Sequence, residues 1–126
     1  MTTFFAVVRE PGPAWDHGRP RAEQDAWAEH AAFMNALAEA GFVVLGGPLG
    51  DGSRNLLIVD AVSGHEVESR LAQDPWSPMG LLTVTTVEPW QILLDRQAPV
   101  QPGDSSGAEV LGSTAEGRDD QARLLL

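Results

Sequence analysis

Residues 41–75 read GFVVLGGPLGDGSRNLLIVDAVSGHEVESRLAQDP, and the order of elements within them decides the fold. The run at 42–45 is continuous, apolar and partly β-branched, as a buried strand requires. The segment GGPLGDGS is a Gly-rich connection whose turn needs positive φ. Residues 55–61 form a second strand of the same kind. Two strands joined by so short a link pair as an antiparallel hairpin. A helix follows at once. Ser63 with Glu66 fits a capping box, and Val62 with Val67 a hydrophobic staple. Pro75 disfavours helical geometry at Asp74, so this helix is expected to end near Gln73.

Working outward, residues 3–9 are a β-branched and aromatic strand, and residues 10–20, EPGPAWDHGRP, are a loop. Residues 21–40 are the clearest helix: Ala26, Trp27, His30, Phe33, Met34 and Leu37 recur at helical spacing, and Gly41 is a good stop. Residues 81–87 are a fourth strand; Pro89 interrupts it, and residues 91–94 continue as an extended edge segment. The order is β-α-β-β-α-β, a ferredoxin-like α+β plait with one antiparallel sheet and two helices on one face. This domain spans residues 1–96. Residues 97–126 are rich in Gly, Ser, Pro and Asp without periodicity, and read as a disordered acidic tail.

The strands are apolar on both alternations: Phe4, Ala6 and Val8 against Phe5 and Val7, Leu56 and Ile58 against Leu57 and Val59. Two helices cover only one face, and a wet face would carry polar residues. A second copy of the chain is the simplest cover, so a homodimer through the open sheet face is expected.

The chain of 126 residues carries a formal net charge of −10, with eight Arg and no Lys. Such a balance disfavours nucleic acid and anionic lipid as partners. The absence of Cys excludes disulfides and thiolate chemistry. No apolar run is long enough to span a bilayer and no signal-type segment opens the chain, so a soluble cytoplasmic protein is expected.

Few residues carry candidate chemistry. His30 lies in the centre of the apolar stripe between Trp27 and Met34. It reads either as a core histidine with a satisfied hydrogen bond or as a functional group. An imidazole is an odd filler there, because each ring nitrogen needs a partner. Asp74 opens a DP turn, where a carboxylate can serve nearby backbone amides. Trp15, Arg19 and Arg21 could line a cleft mouth, an Arg holding a carboxylate or phenolate; a solvated loop is the plainer reading of each. GGPLGDGS lacks the GK[ST] ending of a phosphate loop. GDSSG in the tail matches G-x-S-x-G without the strand and helix that a nucleophile elbow needs. The spacing of His17, His30, His65 and Asp16 supports no metal site. No cofactor is expected.

Four stretches together resemble the YCII-related family of the dimeric α+β barrel superfamily: FFAVVRE at 4–10, EHAAFMNAL at 29–37, GFVVLGGPLGDG at 41–52 and SRLAQDPWSPMGLLTVTTVEPW at 69–90. The resemblance covers residues 4–94. It implies a dimeric barrel, a small-molecule ligand, and a paired site of a His on the first helix and an Asp just after the second, matching His30 and Asp74. In such a pair the carboxylate fixes the imidazole tautomer, and the other ring nitrogen acts as a general base. This suits isomerisation or elimination on a small oxygenated metabolite. The alternative is a non-enzymatic ligand-binding or interaction module on the same dimeric fold, with His30 internal and structural. The enzyme needs an open cleft reaching the His30 ring; the module permits a sealed one.

Overall fold

The computed structural model describes residues 1–96. The chain runs β1 (Thr3–Pro11), a 3-10 turn (Arg21–Glu23), α1 (Trp27–Glu39), β2 (Val43–Leu49), β3 (Arg54–Ala61), α2 (Gly64–Leu71) and β4 (Leu82–Pro89). The four strands form one antiparallel sheet in the order β2-β3-β1-β4. This is the expected ferredoxin-like α+β plait. The tail reading concerns residues 97–126, outside the described residues. No described helix is long and apolar enough to cross a membrane.

Strand parity sorts the side chains. Phe5, Val7 and Arg9 of β1 face the helices and are buried; they pair in register with Val59, Leu57 and Asn55 of β3. Val7, Met34, Leu57, Val59, Val67 and Leu71, all fully buried, lie in the main core between sheet and helices. A second cluster of Trp76, Leu81 and Leu82 packs with Trp15, Ala26 and Trp27 at one end of it. Phe4, Ala6 and Val8 lie on the opposite face and are only half-buried. Leu45, paired with Ile58 on that face, is 54% exposed.

Several element boundaries differ from the sequence expectation. The single helix expected over 21–40 is broken: the 3-10 turn ends at Glu23, and α1 begins only at Trp27. Ala26 adopts left-handed backbone at φ 59°, which a continuous helix cannot contain. Gln24 turns its side chain into the preceding loop, where its amide donates to the carbonyls of Asp16 (2.7 Å) and Arg19 (2.9 Å) and accepts from the Asp16 amide (3.1 Å). Half of the expected connection, residues 46–49, belongs to β2, because β3 pairs with it as far as Leu49 and Arg54. Pro48 is tolerated there because β2 is an edge strand. The turn is confined to residues 50–53, with positive φ at Gly50 and Gly52. β4 runs through Pro89, and residues 91–94 form no strand.

α2 is capped as expected at its first turn. The Ser63 hydroxyl accepts from the Glu66 amide (3.1 Å), while the Glu66 carboxylate accepts from the Val62 amide (2.7 Å), one residue earlier than in the usual reciprocal box. The helix ends at Leu71, and Gln73 and Asp74 donate back to Arg70 and Leu71 in tightened turns.

The loop after β1 is tied to the segment before β4 by two backbone bonds, from Gly12 to Leu81 (2.9 Å) and from Ala14 to Gly80 (3.0 Å). Gly12 is required there: a Cβ would overlap the carbonyl of Gly80. Gly12→Ala is expected to lower stability by about 1–3 kcal/mol, read as a shift of the urea unfolding midpoint. An unchanged midpoint would show that the two segments can separate without cost.

Candidate functional site

α1 presents His30, Met34 and Leu37 to the core at spacings of four and three, one helical stripe. His30 lies in the first turn, its amide bonded to the Ala26 carbonyl at 3.0 Å. Asp74 lies just past α2. Its carboxylate Oδ1 accepts from the Trp76 amide at 2.9 Å, an Asx-type turn that aims the carboxylate inward. The two side chains, 44 positions apart, meet in the core. His30 Nδ1 lies 2.8 Å from Asp74 Oδ2 and 3.0 Å from Oδ1.

A third residue completes the cluster, and the sequence reading missed it. Arg9, on the inner face of β1, donates from one terminal nitrogen to Asp74 Oδ2 at 2.9 Å. Its other terminal nitrogen lies 3.3 Å from the Met34 sulfur. The signal was available: along β1 a charged residue falls in phase with the core residues Phe5 and Val7. Arg9 is 2% exposed, His30 1% and Asp74 fully buried.

The Trp76 ring stacks on the His30 ring, with centroids 3.8 Å apart and planes within 6°. Its indole N–H donates to the Asp25 carbonyl at 2.6 Å, pinning it to the loop before α1. The residue that orients Asp74 through its backbone thus also holds the imidazole plane.

Burial pushes the Asp74 carboxyl up, but the hydrogen bond and charge of His30, the Trp76 amide and the charge of Arg9 together hold it below the usual carboxylate range. Burial lowers the proton affinity of Arg9, and the charge and hydrogen bond of Asp74 oppose this. Asp74 is therefore a carboxylate, which takes a hydrogen bond from Nδ1–H. The hydrogen bonds of the ring to described residues are both made by Nδ1, and Nε2 makes none. A neutral imidazole so held is a proton acceptor at Nε2.

The residues read as a cleft mouth divide. Trp15 is half-buried and meets the Trp76 ring edge-on at 5.5 Å and 88°, so it belongs to the cover of the site. Arg21 lies on the 3-10 turn, half-buried; burial, and then the charge of Arg9, lower its proton affinity. Arg19 does not join them. It pairs with Asp16 (3.0 Å) and Asp25 (3.5 Å) and braces the loop itself. The cleft among Thr3, Phe4, Pro89 and Trp90, about 490 Å³, does not include the pair. With His30 only 1% exposed, its ring is close to sealed.

Because the buried carboxylate has Arg9 as well as His30 for a partner, Asp74→Asn strands a buried cation. It is expected to cost about 3–5 kcal/mol near neutral pH. The wild type should lose stability in acid. The folded carboxyl titrates below its unfolded value, so the contribution is complete above the unfolded pKa and is lost as pH falls through the folded one. Urea unfolding across this range checks both; an acid-insensitive wild type contradicts the assignment.

No family model and no curated protein matches the chain. Among solved structures it is similar to TftG, the 5-chloro-2-hydroxyhydroquinone dehydrochlorinase of Burkholderia phenoliruptrix AC1100, determined in complex with 2,5-dihydroxybenzoquinone. The two share 32% sequence identity over 70% of this chain and 93% of that one, with a TM-score of 0.51.

Proposed function

The chain belongs to the dimeric α+β barrel superfamily, together with that dehydrochlorinase, and from this premise we propose that it is a YCII-related acid/base enzyme acting by elimination or isomerisation on a small oxygenated ring compound. The observation that carries the reading is the contact of His30 Nδ1 with a buried, ionised Asp74, which leaves Nε2 without a partner. The relative, a dehydrochlorinase of a hydroxylated ring, is itself an elimination enzyme, and its bound molecule is a hydroxylated quinone.

In this reading Nε2 takes a proton from a substrate hydroxyl or from carbon beside a carbonyl. The freed electron pair forms the new π bond, and in an elimination the leaving group departs with its own pair. Asp74 stabilises the imidazolium formed, which returns the proton to the product in an isomerisation or releases it to solvent after elimination. Trp27 and Trp76 about the ring suit a flat substrate, and Trp15 and Arg21 would lie on its approach. Arg19 would act only through the loop. The near-sealed ring requires the cover to move during turnover. The protein is read as a cytoplasmic homodimer that uses no cofactor.

The sealed ring also favours the second reading, a ligand-binding or interaction module with a structural His30. Chlorinated hydroxyhydroquinones and hydroxylated quinones, followed by chloride release and absorbance, separate the two. An enzyme turns one of them over, and His30→Gln, which keeps the volume filled, slows it by about 100-fold or more. A module binds without turnover, and His30→Gln leaves the binding unchanged.

The homodimer would bury the outer sheet face carrying Phe4, Val8, Leu45 and Leu56. An interface of the standard size, about 1,600 Å² in total, would remove that patch from water. Phe4→Glu is expected to dissociate the dimer at micromolar concentration in light scattering, whereas a wild-type monomer under the same conditions would refute the assembly.

A further inference from the structure

We propose that Arg9 is a positioning residue whose buried charge, acting through Asp74, keeps His30 Nε2 free of a proton near neutral pH. The proposal rests on the acid/base reading of His30 and adds a requirement to it.

Arg9, Asp74 and His30 form one buried cluster. Arg9 remains a cation, because a guanidinium holds its proton even when burial weakens its grip. Asp74 is an anion paired with Arg9 at 2.9 Å, so with the imidazole neutral the cluster has no net charge. That balance is what a nearly water-free site tolerates. Without the Arg9 charge the same cluster carries an uncompensated negative charge, and taking up one proton relieves it.

Geometry decides where that proton goes. The Trp76 amide occupies Asp74 Oδ1 at 2.9 Å, and Oδ2 faces His30 Nδ1 at 2.8 Å. The line between Oδ2 and Nδ1 already holds one proton. A second proton on the pair therefore resides on Nε2, whether the pair is written as carboxylate and imidazolium or as carboxylic acid and neutral imidazole. Either way the base is consumed. The neighbouring ionisable group is Arg21 from the 3-10 turn, close enough to Arg9 for their charges to interact.

The structural pairing with Asp74 accounts for only part of Arg9. It stands where its strand neighbours Phe5 and Val7 are apolar. Its Nε is buried with no partner, and one of its hydrogen bonds goes to a thioether. An unpaired buried N–H is a cost to the fold, and such costs gather where a site needs the group.

The test is nitrogen NMR of the His30 imidazole in the wild type, Arg9→Gln and Arg9→Lys, near pH 7. Glutamine keeps a hydrogen-bond donor and removes the charge; lysine keeps the charge. The expected result is an unprotonated Nε2 in the wild type and in Arg9→Lys, and a protonated Nε2 in Arg9→Gln. With a turned-over substrate, Arg9→Gln should lower kcat by about 10–100-fold near pH 7, with KM little changed. The loss should shrink as pH rises and the pair gives up its extra proton. A protonated Nε2 in the wild type or in Arg9→Lys overturns the proposal, as does an unprotonated one in Arg9→Gln. The first two comparisons hold even where the glutamine variant fails to fold. The NMR result needs no substrate, so it is independent of whether His30 proves to be a catalytic base.

Discussion

The Asp74 carboxylate is fully buried and accepts from three directions: Arg9, His30 and the Trp76 amide. Removing such a group from water costs several kcal/mol unless every lone-pair direction is answered. Each donor comes from a different part of the chain. Arg9 brings β1, His30 brings α1, and the Trp76 amide belongs to the turn after α2. The carboxylate thus fixes the place of the sheet, the first helix and the second crossover relative to one another. The apolar core alone would leave more freedom, because burial is not directional.

Trp76 links this polar centre to the periphery. Its backbone orients Asp74, its ring lies flat on His30, and its indole N–H holds the loop before α1 at the Asp25 carbonyl. That loop is itself knotted by Gln24 and braced by Arg19 on Asp16. Movement of the loop is therefore coupled to the ring that supports the imidazole. In a site whose base is nearly sealed, the same contacts that hold the geometry control access to it.

Parity in the strands made much of this legible in advance. Alternation in β1 and β3 placed one row inward and one outward, and apolar residues on both rows implied a face that the helices cannot cover. Helical spacing put His30 on the inner stripe of α1. Ser63, Glu66 and Pro75 bracketed α2 through local hydrogen bonding and steric exclusion. Local signals also misled where a tertiary contact intervened. The break before α1 depends on a left-handed Ala26, with no glycine to announce it, and on a Gln24 side chain that turns into the loop instead of out to solvent. Residues 46–49 looked like turn because glycine and proline dominate them, yet β3 supplies a partner as far as Leu49.

What the amino-acid sequence determined by itself is the order of elements, the plait they form and the inward placement of His30, since periodicity, capping and turn chemistry act over a few residues. What only the tertiary structure decided is which groups share the buried charge. Arg9 and Asp74 are 65 positions apart, and His30 and Asp74 are 44 apart. No local rule links them. Strand parity turned Arg9 inward, but the need to compensate a buried carboxylate is satisfied only where β1, α1 and the turn after α2 meet. The same packing closed the site around the imidazole, because the rings of Trp15, Trp27 and Trp76 converge from separate segments on a point the chain reaches only when folded.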